Sequence, residues 1–181
     1  MAMEHERSRR LTVVGHYRVL KDVRGTLEDE AKTHNLSINA LVSQVLSRHA
    51  HDEILFEEVG SVRMMKDTYQ TMLGMLPEDK LGELGEIIAK TSSRAMMLEK
   101  NGAITIEAIL DELCLRSRSG YFFMYEAKGT KKRTISLIHE MGPRSSVVLE
   151  AYVMSLFGMI GIRPKVSATD SSIVFEYATV S

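Results

Sequence analysis

Arg10-Leu11-Thr12-Val13-Val14-Gly15-His16-Tyr17-Arg18-Val19 alternates between two kinds of side chain and runs straight into two short helical patterns split by Asn35-Leu36-Ser37-Ile38-Asn39. Side chains point to opposite faces along a strand, so Leu11, Val13, Tyr17 and Val19 share one face. Arg10, Thr12, Val14, His16 and Arg18 share the other, which is mostly polar and partly cationic. A lone strand leaves its N–H and C=O groups unpaired, and a second copy of the same strand is the simplest partner.

The two helical patterns follow at once. The first, over about 20–33, sets Leu20, Val23, Leu27 and Ala31 on one stripe, and Asn35 is suited to the left-handed position that closes it. Ser37 is a good N-cap for the second, in which Ile38, Leu41, Val42, Val45, Leu46 and His49 recur at helical spacing. Some thirty residues of helix bury too little apolar surface to stand alone, so an intertwined dimer is expected.

Strand, Leu-x-x-x-Ala helix, Asn-Leu-Ser-Ile-Asn turn and apolar second helix together resemble a ribbon-helix-helix DNA-binding domain of the Arc, MetJ and CopG repressor type, over about residues 8–50. The resemblance implies that a two-stranded ribbon enters the DNA major groove and reads bases through Val14, His16 and Arg18, with Thr12 just before them. It also implies phosphate contacts from Arg10 and from Ser37, Ile38 and Asn39 at the start of the second helix. The strand departs from the pattern at Gly15, where an inward apolar residue is expected, and at Val14, where an outward polar one is. Two plainer readings stand beside this one: an edge strand whose arginines guard against aggregation, and a dimerisation module without DNA. Residues 1–25 hold Arg7, Arg9, Arg10, Arg18, Lys21 and Arg24 against Glu4, Glu6 and Asp22, an excess of three on a chain whose net charge is −1. Local basic charge on a near-neutral protein fits a site-specific binder better than a sequence-blind one.

At 181 residues the chain has room for one ordinary domain or two small ones, and 44% hydrophobic with 26% charged residues describes a globular protein. The first ten residues are polar and charged, with no apolar core of a signal peptide, and a single cysteine, Cys114, excludes an internal disulfide framework. A cytoplasmic protein is expected. Cys114 falls on an apolar helical stripe, so an inert thiol is expected there. Twelve methionines and no tryptophan point to adaptable packing. The longest apolar stretch, 147–162, contains Glu150 and Gly158 and is too short to span a membrane. The best boundary is near His51-Asp52-Glu53, giving a DNA-binding segment over 8–52, a helical connecting segment over 53–118 and a sensory or dimerisation domain over 119–181.

Beyond residue 53 the pattern gives a short extended connection over 56–65, a helix over about 67–76, and another opened by Pro77-Glu78-Asp79 and stopped near Asn101-Gly102. Thr105 caps a further helix. Strands over 121–126 and 133–140 flank a hairpin loop, Gly142-Pro143 starts a helix running to about Ile160, and two strands over 165–168 and 173–177 follow. The fold class is therefore α+β: a ribbon-helix-helix (β-α-α, dimeric), then helices and a ββαββ antiparallel sheet. The helix after Pro143 carries Val147, Val148, Leu149, Ala151, Tyr152, Val153, Met154, Leu156, Phe157, Met159 and Ile160, and has almost no polar face. It needs cover on more than one side, from a second subunit, the upstream helices or an apolar ligand.

His139-Glu140-Met141-Gly142-Pro143-Arg144-Ser145-Ser146, with its His-x-x-Gly-x-x-Ser spacing, looks like the junction in the C-terminal domain of some archaeal transcriptional regulators, which implies a sensory or oligomerising module over about 119–178. At this strand end and helix start, His139, Arg144 and Ser145, with Ser146, form a candidate effector or anion site. The plainer alternative is that the serines bond the first helical turn and His139 a carbonyl. His34, His49 and His51 lack the i, i+4 spacing of a helical metal site, no glycine-rich phosphate loop occurs, and no nucleophile, base and orienter assemble. No metal, cofactor or enzymatic activity is expected. The expectation is a cytoplasmic homodimeric transcription regulator whose partners are double-stranded DNA, a second copy and a small-molecule effector, with no membrane. An antitoxin-like protein-binding module and a small-molecule binding protein dimerised by its ribbon are the alternatives.

Overall fold

The computed structural model describes residues 13–58, 60–62, 64–129 and 132–178. The chain divides into two compact units, Met1–Arg48 and His49–Ser181.

In the first unit, residues 13–20 pair with no strand among the described residues, and Arg10, Leu11 and Thr12 of the strand expected over 10–19 lie outside them. The reason is physical: a ladder needs a neighbour, and all four strands of the described residues pair with one another inside the second unit. Helix α1, Lys21–Thr33, matches the expected element. Its end is a Schellman turn: Asn35 sits at φ 53°, the Leu36 N–H donates to the Ala31 carbonyl at 2.8 Å, and the Asn35 N–H to that of Lys32 at 3.1 Å. Ser37 then caps α2, Ile38–Arg48, its Oγ accepting the Ala40 N–H at 3.2 Å. Only Ala31 and Leu41 of these two helices are fully buried. Val13, Tyr17, Val19 and Leu20 stay exposed, at 91%, 75%, 53% and 72%.

The second unit is α+β. It opens with a π-helical turn, His49–Glu53, and α3, Ile54–Glu58, where the sequence suggested an extended connection. Arg118 ties that turn down with two parallel bonds, Nε and Nη2 donating to the Asp52 carboxylate at 2.8 and 2.9 Å, while Phe56 packs with Met96 and Leu115. Next come α4, Lys66–Met75, and α5, Glu78–Ile88. A second π-helical turn, Ala89–Ser93, leads into α6, Arg94–Asn101, which ends on left-handed Gly102. Thr105 caps α7, Ile106–Arg118, by accepting the Ala108 N–H, as its position implied.

The sheet follows as β1, Phe123–Lys128; β2, Lys132–Ile138; α8, Pro143–Gly158; β3, Lys165–Ala168; and β4, Ser172–Ala178. Its order is β1-β2-β4-β3, antiparallel throughout, in the expected ββαββ sequence. Ile135 and Leu137 on β2 and Ile173, Phe175 and Tyr177 on β4 point inward onto α8. Phe157 anchors this layer, its ring centroid 5.5 Å from that of Phe175 and 5.0 Å from that of Tyr177. Residues 53–118, read from sequence as a connecting segment, are not separate from the sheet: Ala89, Met97, Ala108, Ile109 and Leu113 belong to the same apolar core.

The sequence left open what covers α8. The upstream helices do. Val148, Tyr152, Val153, Leu156 and Phe157 are all buried inside the unit, so no second subunit is needed to cover them. Helix α5 achieves this by backbone contact: a Cβ on Gly85 would collide with the Val148 carbonyl oxygen and lie 2.9 Å from the Tyr152 nitrogen. Gly82, on the same helix, has open space where its Cβ would be. The two glycines therefore respond in opposite directions to alanine. Gly82→Ala stabilises by about 1 kcal/mol through helix propensity, whereas Gly85→Ala destabilises by about 1–3 kcal/mol through overpacking. Chemical denaturation of the two variants measures both signs.

Candidate functional site

The strand-to-helix junction that drew attention in the sequence is a structural pin. His139 is buried, and its Nδ1 accepts the Met141 N–H at 3.0 Å, which puts the ring proton on Nε2. That nitrogen lies 2.9 Å from the Ser146 Oγ, and Ser146 donates on to the Thr169 carbonyl at 2.5 Å. The His139 and Glu140 N–H groups donate to Ser171, so β2, α8 and the β3–β4 hairpin meet at this ring. Glu140 takes a left-handed backbone, φ 54°, and Gly142, φ 81°, completes the turn.

Arg144 turns away from His139. Its Nε donates to the Leu73 carbonyl at 3.0 Å and its Nη2 to the Leu76 carbonyl, so it caps the end of α4. Ser145 donates to the Met141 carbonyl at 2.9 Å. His139 and Ser145 thus both hold the turn at Met141, while Arg144 serves the end of α4.

What the sequence did not reveal is a cavity of about 470 Å³ beside α8, with a polar cluster in its wall. Arg116 on α7 donates from Nε to Glu112 at 2.7 Å and from Nη2 to the Ser93 Oγ at 2.8 Å. The Tyr152 hydroxyl lies 3.0 Å from the same Ser93 Oγ and donates to Glu112 at 3.3 Å. The guanidinium carbon sits 5.4 Å from the Tyr152 ring centroid and 5.6 Å from that of Tyr121. Burial opposes the charge on Arg116, and the Glu112 carboxylate bonded to its Nε favours it, so the guanidinium stays cationic. Burial pushes the Tyr152 phenol well up, so it remains a neutral donor.

Two sequence signals pointed toward this cluster without disclosing it. Glu112 and Arg116 stand at i, i+4, a spacing that usually marks a solvated pair. Thr91-Ser92-Ser93 places three hydroxyls in one helix, where Thr91 and Ser92 donate back to the Ile87 and Ile88 carbonyls in the widened turn.

Of the residues expected to meet DNA, Val14, His16 and Arg18 are exposed. Ser37, Ile38 and Asn39 form the start of α2, where the first helical N–H groups lack intrahelical acceptors. Arg10 and Thr12 lie outside the described residues. His49 Nδ1 pairs with Glu53 at 3.0 Å, and among the described residues no group of His, Cys, Asp and Glu side chains is arranged to hold a metal ion. Burial raises the Cys114 thiol, whose Sγ lies 3.8 Å from the Met124 sulfur. No helix among the described residues is long and apolar enough to cross a membrane. No protein-family profile matches the chain, and no curated protein matches it.

Burial, and then the nearby Lys66 charge, hold His139 below the ordinary histidine range. A depressed histidine contributes stability that is complete above its unfolded value, about 6.5, and is lost as pH falls toward the folded value. Protonation would also remove the Nδ1 acceptor from the Met141 N–H. The melting temperature should therefore fall on acidification from pH 7 to 5, and more steeply in the native chain than in His139→Gln. Equal pH slopes for the two would show that His139 is not the group responsible.

Proposed function

We propose that the chain is a dimeric, sequence-specific DNA-binding transcription regulator of the cytoplasm. In this reading two copies pair their N-terminal segments into an antiparallel ribbon that enters the major groove, and the second unit acts as a sensory or dimerisation module. The observation that carries it is the unsatisfied apolar surface of the first unit. Val13, Tyr17, Val19 and Leu20 are all more than half exposed, ahead of two helices that together bury only Ala31 and Leu41. Burying one such large side chain is worth about 1.5–3 kcal/mol, so a second copy that covers several of them forms readily.

The polar side of the segment suits the groove once the apolar side is paired. In a paired strand His16 and Arg18 would project with Val14, as an antiparallel ribbon requires of base-reading positions. The Ser37-Ile38-Asn39 end of α2 supplies backbone N–H groups for a phosphate. Arg10 and Thr12 extend the same surface in sequence.

Selection of duplexes from a random pool by the full-length protein tests the reading. It should enrich one sequence with two-fold symmetry, because two identical strands read two half-sites. Arg18→Ala and His16→Ala should each weaken binding to that sequence by about 1–3 kcal/mol, with melting temperatures unchanged because both side chains are exposed. Failure to enrich any sequence would remove the proposal.

A further inference from the structure

We propose that the cavity beside α8 is a binding site for a small carboxylic acid with an apolar body. The inference concerns the second unit alone and does not depend on DNA binding. At about 470 Å³ the cavity falls within the size range of small-molecule sites, roughly 300–1,000 Å³. Its walls are largely apolar, with Phe56, Ile88, Phe122, Val148 and Leu149 among them. Among the described residues that line it, the charged side chains are Lys66 and Arg116, and no carboxylate is present.

The geometry at Arg116 identifies the anionic group. Of five guanidinium N–H groups, Glu112 takes the one on Nε and Ser93 one on Nη2. One more faces the Tyr152 hydroxyl, and among the described residues the other two have no hydrogen-bond acceptor. They lie on a cationic plane held by Tyr121 and Tyr152, and the Tyr152 hydroxyl is committed to Ser93 and Glu112. A preoriented guanidinium with unspent donors matches a planar carboxylate, which accepts two parallel bonds. Lys66 adds a second positive charge at the wall, and the apolar surface takes the rest of the ligand. A neutral ligand would offer the guanidinium at most an uncharged acceptor, a weaker partner than a carboxylate, and a cation would meet two like charges.

Calorimetric titration of the full chain, without DNA, tests the assignment with octanoate and 4-phenylbutyrate, each against its alcohol, octan-1-ol and 4-phenylbutan-1-ol. At least one acid should bind, and its alcohol should bind about tenfold or more weakly, since a charge-assisted bond is lost. Arg116→Gln, where it folds, should bring acid and alcohol to equal affinity. Lys66→Glu changes an exposed side chain and should weaken the acid several-fold while leaving the alcohol unchanged. Leu149→Trp, which fills the cavity, should weaken both. Absence of binding by both acids would overturn the proposal. So would alcohols that bind the native chain as tightly as the acids, or an acid affinity unchanged in Leu149→Trp.

Discussion

Helix α8 has no polar face to give to water, and that constraint organises the second unit. One side is taken by Ile135, Leu137, Ile173, Phe175 and Tyr177 of the sheet. The other is taken by α5, which comes close enough for Gly85 to rest against the Val148 and Tyr152 backbone. Everything else in the unit follows from holding that sandwich together. Arg144, at the start of α8, caps the carbonyls that end α4, and His139 pins the helix start to the β3–β4 hairpin. Where α8 passes between α7 and the widened turn after α5, its buried Tyr152 hydroxyl finds Ser93 and Glu112. The cavity lies along the same helix, at the stretch where Ser145, Val148, Leu149 and Tyr152 form its wall.

Local chemistry made much of this legible in the sequence. Asn35, Ser37, Thr105, Gly102 and Pro143 each do at an element boundary what their backbone or side chain favours, because capping depends on neighbours three or four residues away. Strand β3 spans the residues expected, and the ββαββ order follows from where helical period gives way to alternation. The π-helical turns at His49–Glu53 and Ala89–Ser93 were not legible, since an extra residue in one turn shifts the apolar stripe once and no residue type marks the place.

The candidate site was less legible, for a reason of distance along the chain. His139, Arg144 and Ser145 cluster in sequence, so they look like a site. Yet Arg144 reaches back to Leu73 and Leu76, and the cluster separates. Arg116, Ser93 and Tyr152 are scattered in sequence, so they look like nothing, yet they meet in one hydrogen-bonded cluster. Tyr152 reads as one more apolar residue of α8 until the partner of its hydroxyl is known. Pairings of this kind arise from packing, and no local pattern encodes them.

The first unit poses the opposite problem. Its helices and turn form as local chemistry dictates, but its apolar side chains Val13, Tyr17, Val19 and Leu20 are exposed among the described residues. A ribbon shared between two copies is the central claim, and cysteine scanning measures it most directly. In a Cys114→Ser background, cysteine is introduced singly at each position from Val13 to Val19 and the chain is oxidised. In an antiparallel ribbon, residues directly opposite one another have Cβ atoms about 4.5–5.5 Å apart. Only positions near the two-fold axis meet their own copies at that distance. The account predicts interchain disulfides that peak at one position and fall away on both sides of it. Monomeric chains at every position, or uniform cross-linking with no peak, would contradict it.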